Sequence, residues 1–571
     1  MKIQSSGPAP LVRLLALLVG TAAIIALTSG SLMWCWTETS SVLALSGVVP
    51  LPLHDAAHAT WQLILHSEWR NPGQALPSAS ERAHAPGAPA YLLTTVCLSL
   101  ALGRAAFGLW RALRALRSGS PLGRRHNKLA RLVLDRGWVH QRTWATTADL
   151  RRLSVDAPVS GRPYLGLTGG LRTRMLAAEP EIQPMLIAPP RAGKTTGYVI
   201  PWLLDHDGPA LVLSTKRDVY DATCAHRRRI GRTWVYDPFG DPHSAGFTPL
   251  IPAATWPGAV RVGEALASAA HPDASNAANE FWDKEAASML APLLHAAAIS
   301  GKPMSELIRW LDARELTEAV KTLRDAGADA AATQLEGVGR RDERNRETTV
   351  MSALNLLRAY RYPQVIASAS SDLTPEAFLD GGPNTIYVIA AGHDQDALRP
   401  VILALVSAVY ETAIVKARRG GALDPRLFIV MDEAANIAPI RNLASWLSQC
   451  GDHGIMIATI WQSIAQIDQR YGRPARDAIC AASTAQVFIP PLADPTSTSY
   501  LTELLGEEPI ANASTTSGQA RRTLNSAQRK VGPAPWLRQI PRGQAILIYR
   551  DLPPAIVNAP GWYEDTRFGP R

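Results

Sequence analysis

The stretch Met185-Leu186-Ile187-Ala188-Pro189-Pro190-Arg191-Ala192-Gly193-Lys194-Thr195-Thr196 decides the architecture. Its first four residues (MLIA, 185–188) read as a short buried strand. A loop ending in Gly193-Lys194-Thr195 follows, and then a helical pattern. Strand, loop and helix in that order, spaced as G-x-x-x-x-G-K-[ST], form the Walker A arrangement. One position departs from it: Ala188 stands where the first glycine is usual. Backbone N–H groups of such a loop, together with the helix N-terminus, cradle phosphate oxygens. The candidate nucleotide-binding residues are therefore Ala188, Pro189, Pro190, Arg191, Ala192, Gly193, Lys194, Thr195 and Thr196. Lys194 would neutralise the β and γ phosphates of ATP, and Thr195 would hold Mg2+. Alanine lacks the freedom of glycine at positive φ, so the backbone at Ala188 needs a direct check.

Downstream, Leu427-Phe428-Ile429-Val430-Met431-Asp432-Glu433 reads as a buried strand ending in two carboxylates, the Walker B pattern. Asp432 would act with Thr195 on the metal, and Glu433 would polarise the attacking water. Trp461-Gln462-Ser463 follows directly on the next apolar run, IMIATIW (455–461). In a parallel sheet that strand end can lie beside Glu433, and Gln462 would then touch the γ phosphate or the water. The candidate catalytic residues are thus Glu433, Lys194 and Gln462. Each piece has a plainer reading in isolation, since Asp and Glu favour helix starts and glutamine is common on surfaces. A phosphate loop upstream favours the chemical reading of both.

Short apolar runs recur around these pieces: ALVLS (210–214), TWVYD (233–237), TIYVIAA (385–391), AQVFI (485–489) and AILIY (545–549). Continuous apolar runs alternating with helical patterns predict buried parallel strands in a three-layer α/β domain. From Pro257 to Asp380 no strand pattern appears, and alanine-rich helical stretches such as NEFWDKEAASMLAPLLHAAAIS dominate. WATTADLRRL (144–153) reads as an amphipathic helix, and ASTTSG (513–518) as a loop.

The chain has 571 residues, 47% hydrophobic and 19% charged, which excludes a disordered protein. Its net charge of +9 fits either a nucleic-acid partner or cytoplasmic loops at a membrane. The five cysteines, Cys35, Cys97, Cys224, Cys450 and Cys480, form no C-x-x-C pair, so neither a zinc site nor a disulfide framework is expected. Residues 14–36 are apolar and uncharged, long enough for a membrane span. A second apolar segment, 88–110, contains Arg104 near its end, where the side chain can snorkel. Arg111, Arg114, Arg117, Arg124, Arg125, Lys128 and Arg131 follow it, against Arg70 and Arg82 between the spans. The positive-inside rule then predicts a multi-pass protein of the cytoplasmic membrane, with both the N-terminus and the catalytic body in the cytoplasm. A cleaved signal peptide is the plainer reading of the first segment, but it would carry the nucleotide loop away from ATP.

Three basic clusters are candidate DNA contacts: Arg227-Arg228-Arg229 with Arg232; Arg340, Arg341, Arg344 and Arg346; and Arg521, Arg522, Arg529 and Lys530. Binding through them would be salt-dependent and nearly sequence-blind.

With these motifs, the spans and the helical stretch, the chain resembles the type IV coupling proteins of conjugation, the TraG/TraD family. The resemblance includes Pro189-Pro190-Arg191-Ala192-Gly193-Lys194 with Pro201, Ser214-Thr215-Lys216-Arg217-Asp218, Tyr236-Asp237-Pro238 and Thr248-Pro249-Leu250. It continues through Phe281-Trp282, Asp432-Glu433-Ala434, Gln462-Ser463 with Gln466, and Asp494-Pro495-Thr496 to Leu505-Gly506. It implies a RecA-like P-loop NTPase domain with an inserted all-α domain and two N-terminal transmembrane helices. The expected divisions are a membrane anchor at 1–117 (spans 14–36 and 88–110, extracytoplasmic loop 37–87) and a linker and adaptor at 118–180. A nucleotide-binding domain at 181–256 and 381–571 would enclose the helical insert at 257–380. The resemblance also implies a DNA-translocating ATPase that uses ATP and Mg2+. Its partners would be a relaxase, DNA (single-stranded the expected form), the membrane, the subunits of a type IV secretion channel, and further copies of itself in a homo-hexamer.

Two departures stand beside Ala188. Relatives often carry an arginine just before the Gly-Ile that opens the Gln462 strand, and here His453 occupies that place. Arg441, Arg473 and Arg476 are the candidates to replace it. An asparagine common before the AQVFI strand is also absent, with Ala482 and Ser483 in that area. The competing expectations are a motor exporting proteins only, a membrane docking receptor with weak ATPase activity, and a chromosome-segregation translocase.

Overall fold

The computed structural model describes residues 144–568 apart from short gaps at 170–172, 242, 270–276, 381, 393–394 and 515–522, and before them only Leu76 and Arg82. The two expected membrane spans, 14–36 and 88–110, therefore lie outside the described residues, as do Arg521 and Arg522. The architecture below belongs to the unit Gln141–Arg571.

Strands β1 (Ser154–Val155), β2 (Tyr164–Thr168) and β3 (Met175–Ala177) precede β4 (Pro184–Ile187), which leads into the phosphate loop. Then come β5 (Ala210–Ser214), β6 (Thr233–Tyr236), β7 (Thr385–Ile389), β8 (Leu427–Asp432), β9 (Ile455–Trp461) and β10 (Ala485–Phe488). A two-stranded ribbon follows, β11 (Glu507–Ser514) with β12 (Thr523–Lys530), and β13 (Gln544–Tyr549) and β14 (Ala555–Asn558) close the series. Twelve of these strands form one sheet in the order β1-β3-β2-β14-β13-β10-β4-β9-β8-β5-β7-β6. From β10 to β6 every pairing is parallel, and from β10 outward through β13 every pairing is antiparallel.

The parallel strands from β10 to β7 are mainly apolar and buried on both faces, while the edge strand β6 alternates buried and half-buried residues. Successive side chains of a strand point to opposite faces. In β8, Leu427, Ile429 and Met431 join one hydrophobic cluster, while Phe428 and Val430 join another. In β5, Leu211 and Leu213 likewise separate from Ala210 and Val212. Helix Gln395–Gly420 and the helices Trp256–Ser268 and Ala277–Ile299 contribute to the first cluster; Tyr198, Val199, Trp202 and Leu203 at the end of the phosphate loop contribute to the second. Gln395–Gly420 is the one helix among the described residues long and apolar enough to cross a membrane. Most of its apolar stretch, 72%, is buried inside the body, so it is a core helix against the sheet.

No strand is described between β6 and β7. Eight α-helices run there, from Trp256–Ser268 to Pro375–Asp380. They share one core with a face of the sheet, since Leu290, Leu307 and Leu335 belong to the same cluster as Ile386 and Val388.

Three readings are corrected. AILIY (545–549) is a strand, but β13 lies antiparallel to β10, because an apolar run reveals burial and not direction. Residues read as adaptor supply β1, β2 and β3, which extend the sheet. In the stretch read as an amphipathic helix, only one 3-10 turn forms, Asp149–Arg152, which buries Leu150 before the chain turns into β1.

Candidate nucleotide site

The register of the parallel strands brings three motifs to one edge. Ile187, the last residue of β4, pairs with Trp461 at the end of β9, and Ile460 of β9 pairs with Asp432 at the end of β8. The Gln462 strand therefore lies between the Walker A and Walker B strands. Carboxyl ends of parallel strands are where ligands of such sheets bind.

Ala188 is fully buried, and its N–H donates to Trp461 O at 2.9 Å. Its φ is not positive. In the loop the left-handed conformations fall at Arg191 (φ 62) and Gly193 (φ 93). Ala188 belongs to the same buried cluster as Leu186 and Tyr198, and its backbone conformation does not call for glycine. Pro189 and Pro190 carry no N–H, and that of Ala188 is already spent. These three predicted residues shape the loop, and the backbone donors lie from Arg191 onward. Lys194 opens the helical backbone, continued by Thr195–Val199 and Ile200–Asp205.

Lys194 Nζ stands 2.9 Å from Asp432 Oδ1 and 3.8 Å from Glu433 Oε1. Thr195 Oγ1 donates to Asp432 Oδ2 at 3.4 Å. Both Lys194 Nζ and Asp432 Oδ1 are buried without a properly angled hydrogen bond, so their attraction is electrostatic. Glu433 is held at both oxygens: Gln462 Nε2 donates to Oε1 at 3.4 Å, and Asn436 Nδ2 donates to Oε2 at 3.3 Å. Its backbone is left-handed (φ 75, ψ 54), a conformation that costs a non-glycine residue energy and is common at functional sites. Gln462 is fixed in turn, its N–H donating to Gln466 Oε1 at 3.0 Å.

The groups line an open cleft together with Pro190, Arg191, Gly193 and Thr196. Lys216 and Asp218 also line it, although the motif reading gave them no role. They follow directly on β5, so their place after a buried parallel strand was the signal available. Asn436 was missed as well; it stands one helical turn after Glu433. A loop of N–H donors, a buried ammonium, and a hydroxyl beside a carboxylate fit a triphosphate with a divalent cation.

Among the candidate arginines, Arg476 is buried and paired with Asp468 and Asp477, and Arg441 stands 3.6 Å from Asp283. Arg473 is exposed. The basic clusters are thinned by packing. Arg227 is fully buried, Arg341 pairs with Glu285, and Arg529 pairs with Glu508. Arg228, Arg229, Arg340, Arg344 and Lys530 remain exposed.

Residues 161–571 match the family model for type IV secretory system conjugative DNA transfer. The chain belongs to that family. Among curated relatives of the family, the conjugal transfer protein TraG of Agrobacterium fabrum (strain C58 / ATCC 33970) is 25% identical over 354 residues, 56% of this chain and 50% of that protein. A conjugal transfer protein TraG of Escherichia coli is 24% identical over 371 residues, 59% of this chain and 57% of that protein. The chain thus spans little more than half the length of the curated relatives it matches. Of solved structures, the unbound bacterial conjugative coupling protein TrwBdeltaN70 superimposes with a TM-score of 0.55 at 16% identity, covering 73% of this chain and 92% of that one. The plasmid coupling protein TrwB in complex with ADP and Mg2+ gives 0.54 at 17%, covering 73% and 93%. At these identities the likeness shows the fold, an α/β P-loop NTPase with a large mixed sheet.

Proposed function

We propose that this chain is a membrane-anchored, ATP-hydrolysing coupling protein that receives a relaxase–DNA complex and drives it through a type IV secretion channel during conjugation. In this reading it works as a homo-hexamer in the cytoplasmic membrane, anchored through 14–36 and 88–110, on single-stranded DNA. Its body is a RecA-like three-layer domain in the cytoplasm, and the helices of 257–380 form an insert that meets the cargo. The observation that carries the reading is the convergence of Lys194, Thr195, Asp432, Glu433 and Gln462 at the ends of three adjacent parallel strands. The complex of the similar TrwB with ADP and Mg2+ supports the same ligands here.

The residues divide the work by their chemistry. Donors from Arg191 to Thr196 would hold the phosphates, and Lys194 would exchange its pairing with Asp432 for the β and γ oxygens. Thr195 and Asp432 would hold Mg2+, which when bound neutralises charge on the phosphates. Glu433, fixed by Gln462 and Asn436, would orient and polarise the attacking water. Gln462 bridges Glu433 and the loop after β9, so a change at the γ phosphate would pass to that loop. Lys216 is a second cation on the cleft wall, facing the phosphates.

ATP hydrolysis by the full chain in membrane vesicles with added DNA, and plasmid transfer in matings, test the reading. Lys194→Ala and Glu433→Gln should each abolish both. A parent without hydrolysis under these conditions, together with undiminished transfer by Lys194→Ala, would overturn it in favour of a docking receptor.

A further inference from the structure

The C-terminal segment runs against the phosphate loop. Trp562 N–H donates to Thr196 O at 2.9 Å, and at Gly197 an added Cβ would meet Ala559 O at 3.3 Å. Both contacts fall on the turn directly after Lys194-Thr195. The segment is tied down on both sides of Trp562. Ala559 N–H donates to Gly543 O at 2.7 Å. Further on, Arg567 bonds Asp205 at 2.8 Å and Asp565 at 2.6 Å, and its guanidinium lies 5.0 Å from the Tyr164 ring.

Two aromatic residues are thereby held beside the loop yet outside the core. Tyr563 is 57% exposed and Trp562 partly exposed, with ring centroids 6.1 Å apart at 76°. The Tyr563 ring lies over Gly561, where a Cβ would come within 2.6 Å of it, so the glycine makes room for the ring.

The direction of the loop places these rings relative to a bound nucleotide. Glu433 and Gln462 line the end of the cleft where the γ phosphate would stand, and Lys194 would reach the β and γ groups. The α phosphate, ribose and base must then leave in the opposite sense, past Thr196. That is where Trp562 is anchored. Flat apolar rings with polar tips at a fixed position suit stacking on a base, which needs no particular hydrogen-bond pattern.

We propose that Trp562 and Tyr563 form the seat for the base and ribose of the bound nucleoside triphosphate. The proposal rests on the nucleotide reading of the loop given above. The C-terminal segment thereby completes the nucleotide site, so base recognition and phosphate recognition come from opposite ends of the domain's sequence.

The test is binding of ATP and of inorganic tripolyphosphate, each with Mg2+, to the full chain in detergent micelles. Trp562→Ala should weaken ATP about tenfold, the scale of one lost base stack, and leave tripolyphosphate within about twofold. Trp562→Phe should retain most of the ATP affinity, and Tyr563→Ala should lose part of it. Lys194→Ala should weaken both ligands. If Trp562→Ala and Tyr563→Ala bind ATP like the parent, the seat is wrong while the loop reading stands. The seat is equally wrong if Trp562→Ala weakens both ligands alike, since the residue would then only shape the loop. A parent that binds neither ligand overturns the loop reading and the seat together.

Discussion

The Lys194 ammonium lies 2.9 Å from Asp432 Oδ1, across the sheet position held by β9, and makes no angled hydrogen bond with it. Both side chains are largely buried, at 12% and 8% exposure. The pair therefore neutralises two charges that the fold has taken out of water, and a polyanion with a divalent cation can replace both halves at once. Lys194→Met strands Asp432 without a countercharge. We expect a loss of about 2 kcal/mol in unfolding free energy, less than for a fully enclosed pair because the site opens to a cleft. Adding Asp432→Asn to Lys194→Met should recover most of it. Thermal unfolding of the two variants checks this, and equal losses in both would contradict it.

Glu433 combines a strained backbone with two side-chain supports. Glu433→Gly relieves the left-handed conformation and should stabilise the protein by about 1 kcal/mol. The same change removes the carboxylate and should abolish hydrolysis. Glu433→Gln should lower hydrolysis at least ~100-fold while ATP affinity stays within about threefold. A Glu433→Gly protein that melts below the parent would show that the strain is not stored at this residue.

Arg227 is fully buried, and its guanidinium bonds to backbone carbonyls and a hydroxyl. It donates to Gly208 O at 2.6 Å, Thr385 Oγ1 at 2.7 Å, Pro383 O at 3.0 Å and also to His206 O. These carbonyls lie at the amino ends of β5 and β7, so the guanidinium joins two parallel strands where their own ladder begins. Arg227→Ala should cost about 3 kcal/mol, and Arg227→Lys should recover little because an ammonium cannot match the planar fork. Arg228→Ala, at the exposed neighbour, should leave stability unchanged. Urea unfolding of the three variants separates these outcomes.

His206 is buried, with Nε2 3.2 Å from Pro209 O and its ring 5.4 Å from that of Phe428. Burial, followed by the nearby Arg227 charge, lowers its pKa from 6.5 to about 4. Above about pH 6.5 the imidazole is neutral in both folded and unfolded chains and contributes no pH dependence. Below it the unfolded chain binds the proton first, so stability is lost as pH falls from 6.5 toward 4. At pH 5 this loss is about 2 kcal/mol. His206→Gln removes it, so the variant should lose that much less stability than the parent between pH 7 and pH 5. Burial raises neighbouring Asp205 to about 6, which acts in the opposite sense in both proteins, so the difference between them isolates the imidazole. Identical pH profiles for the two proteins would contradict the assignment.

The motifs on which the proposed chemistry rests were legible from local sequence alone. Gly193-Lys194-Thr195 after MLIA and Asp432-Glu433 after LFIVM are short, contiguous and tied to strand ends, because phosphate cradles and metal carboxylates need a rigid strand behind a short loop. The eight apolar runs were legible as strands because largely buried strands leave little room for polar side chains. Tertiary structure alone decided their order and direction. Nothing in IMIATIW says that it lies between the two nucleotide motifs, and nothing in AILIY says that it runs antiparallel, because register comes from partners far along the chain. The fold also decided the backbone at Ala188, which is not left-handed and whose N–H bonds Trp461 O. It withdrew Arg227 from the surface, and it brought Trp562 beside Thr196, a contact between residues that share no motif.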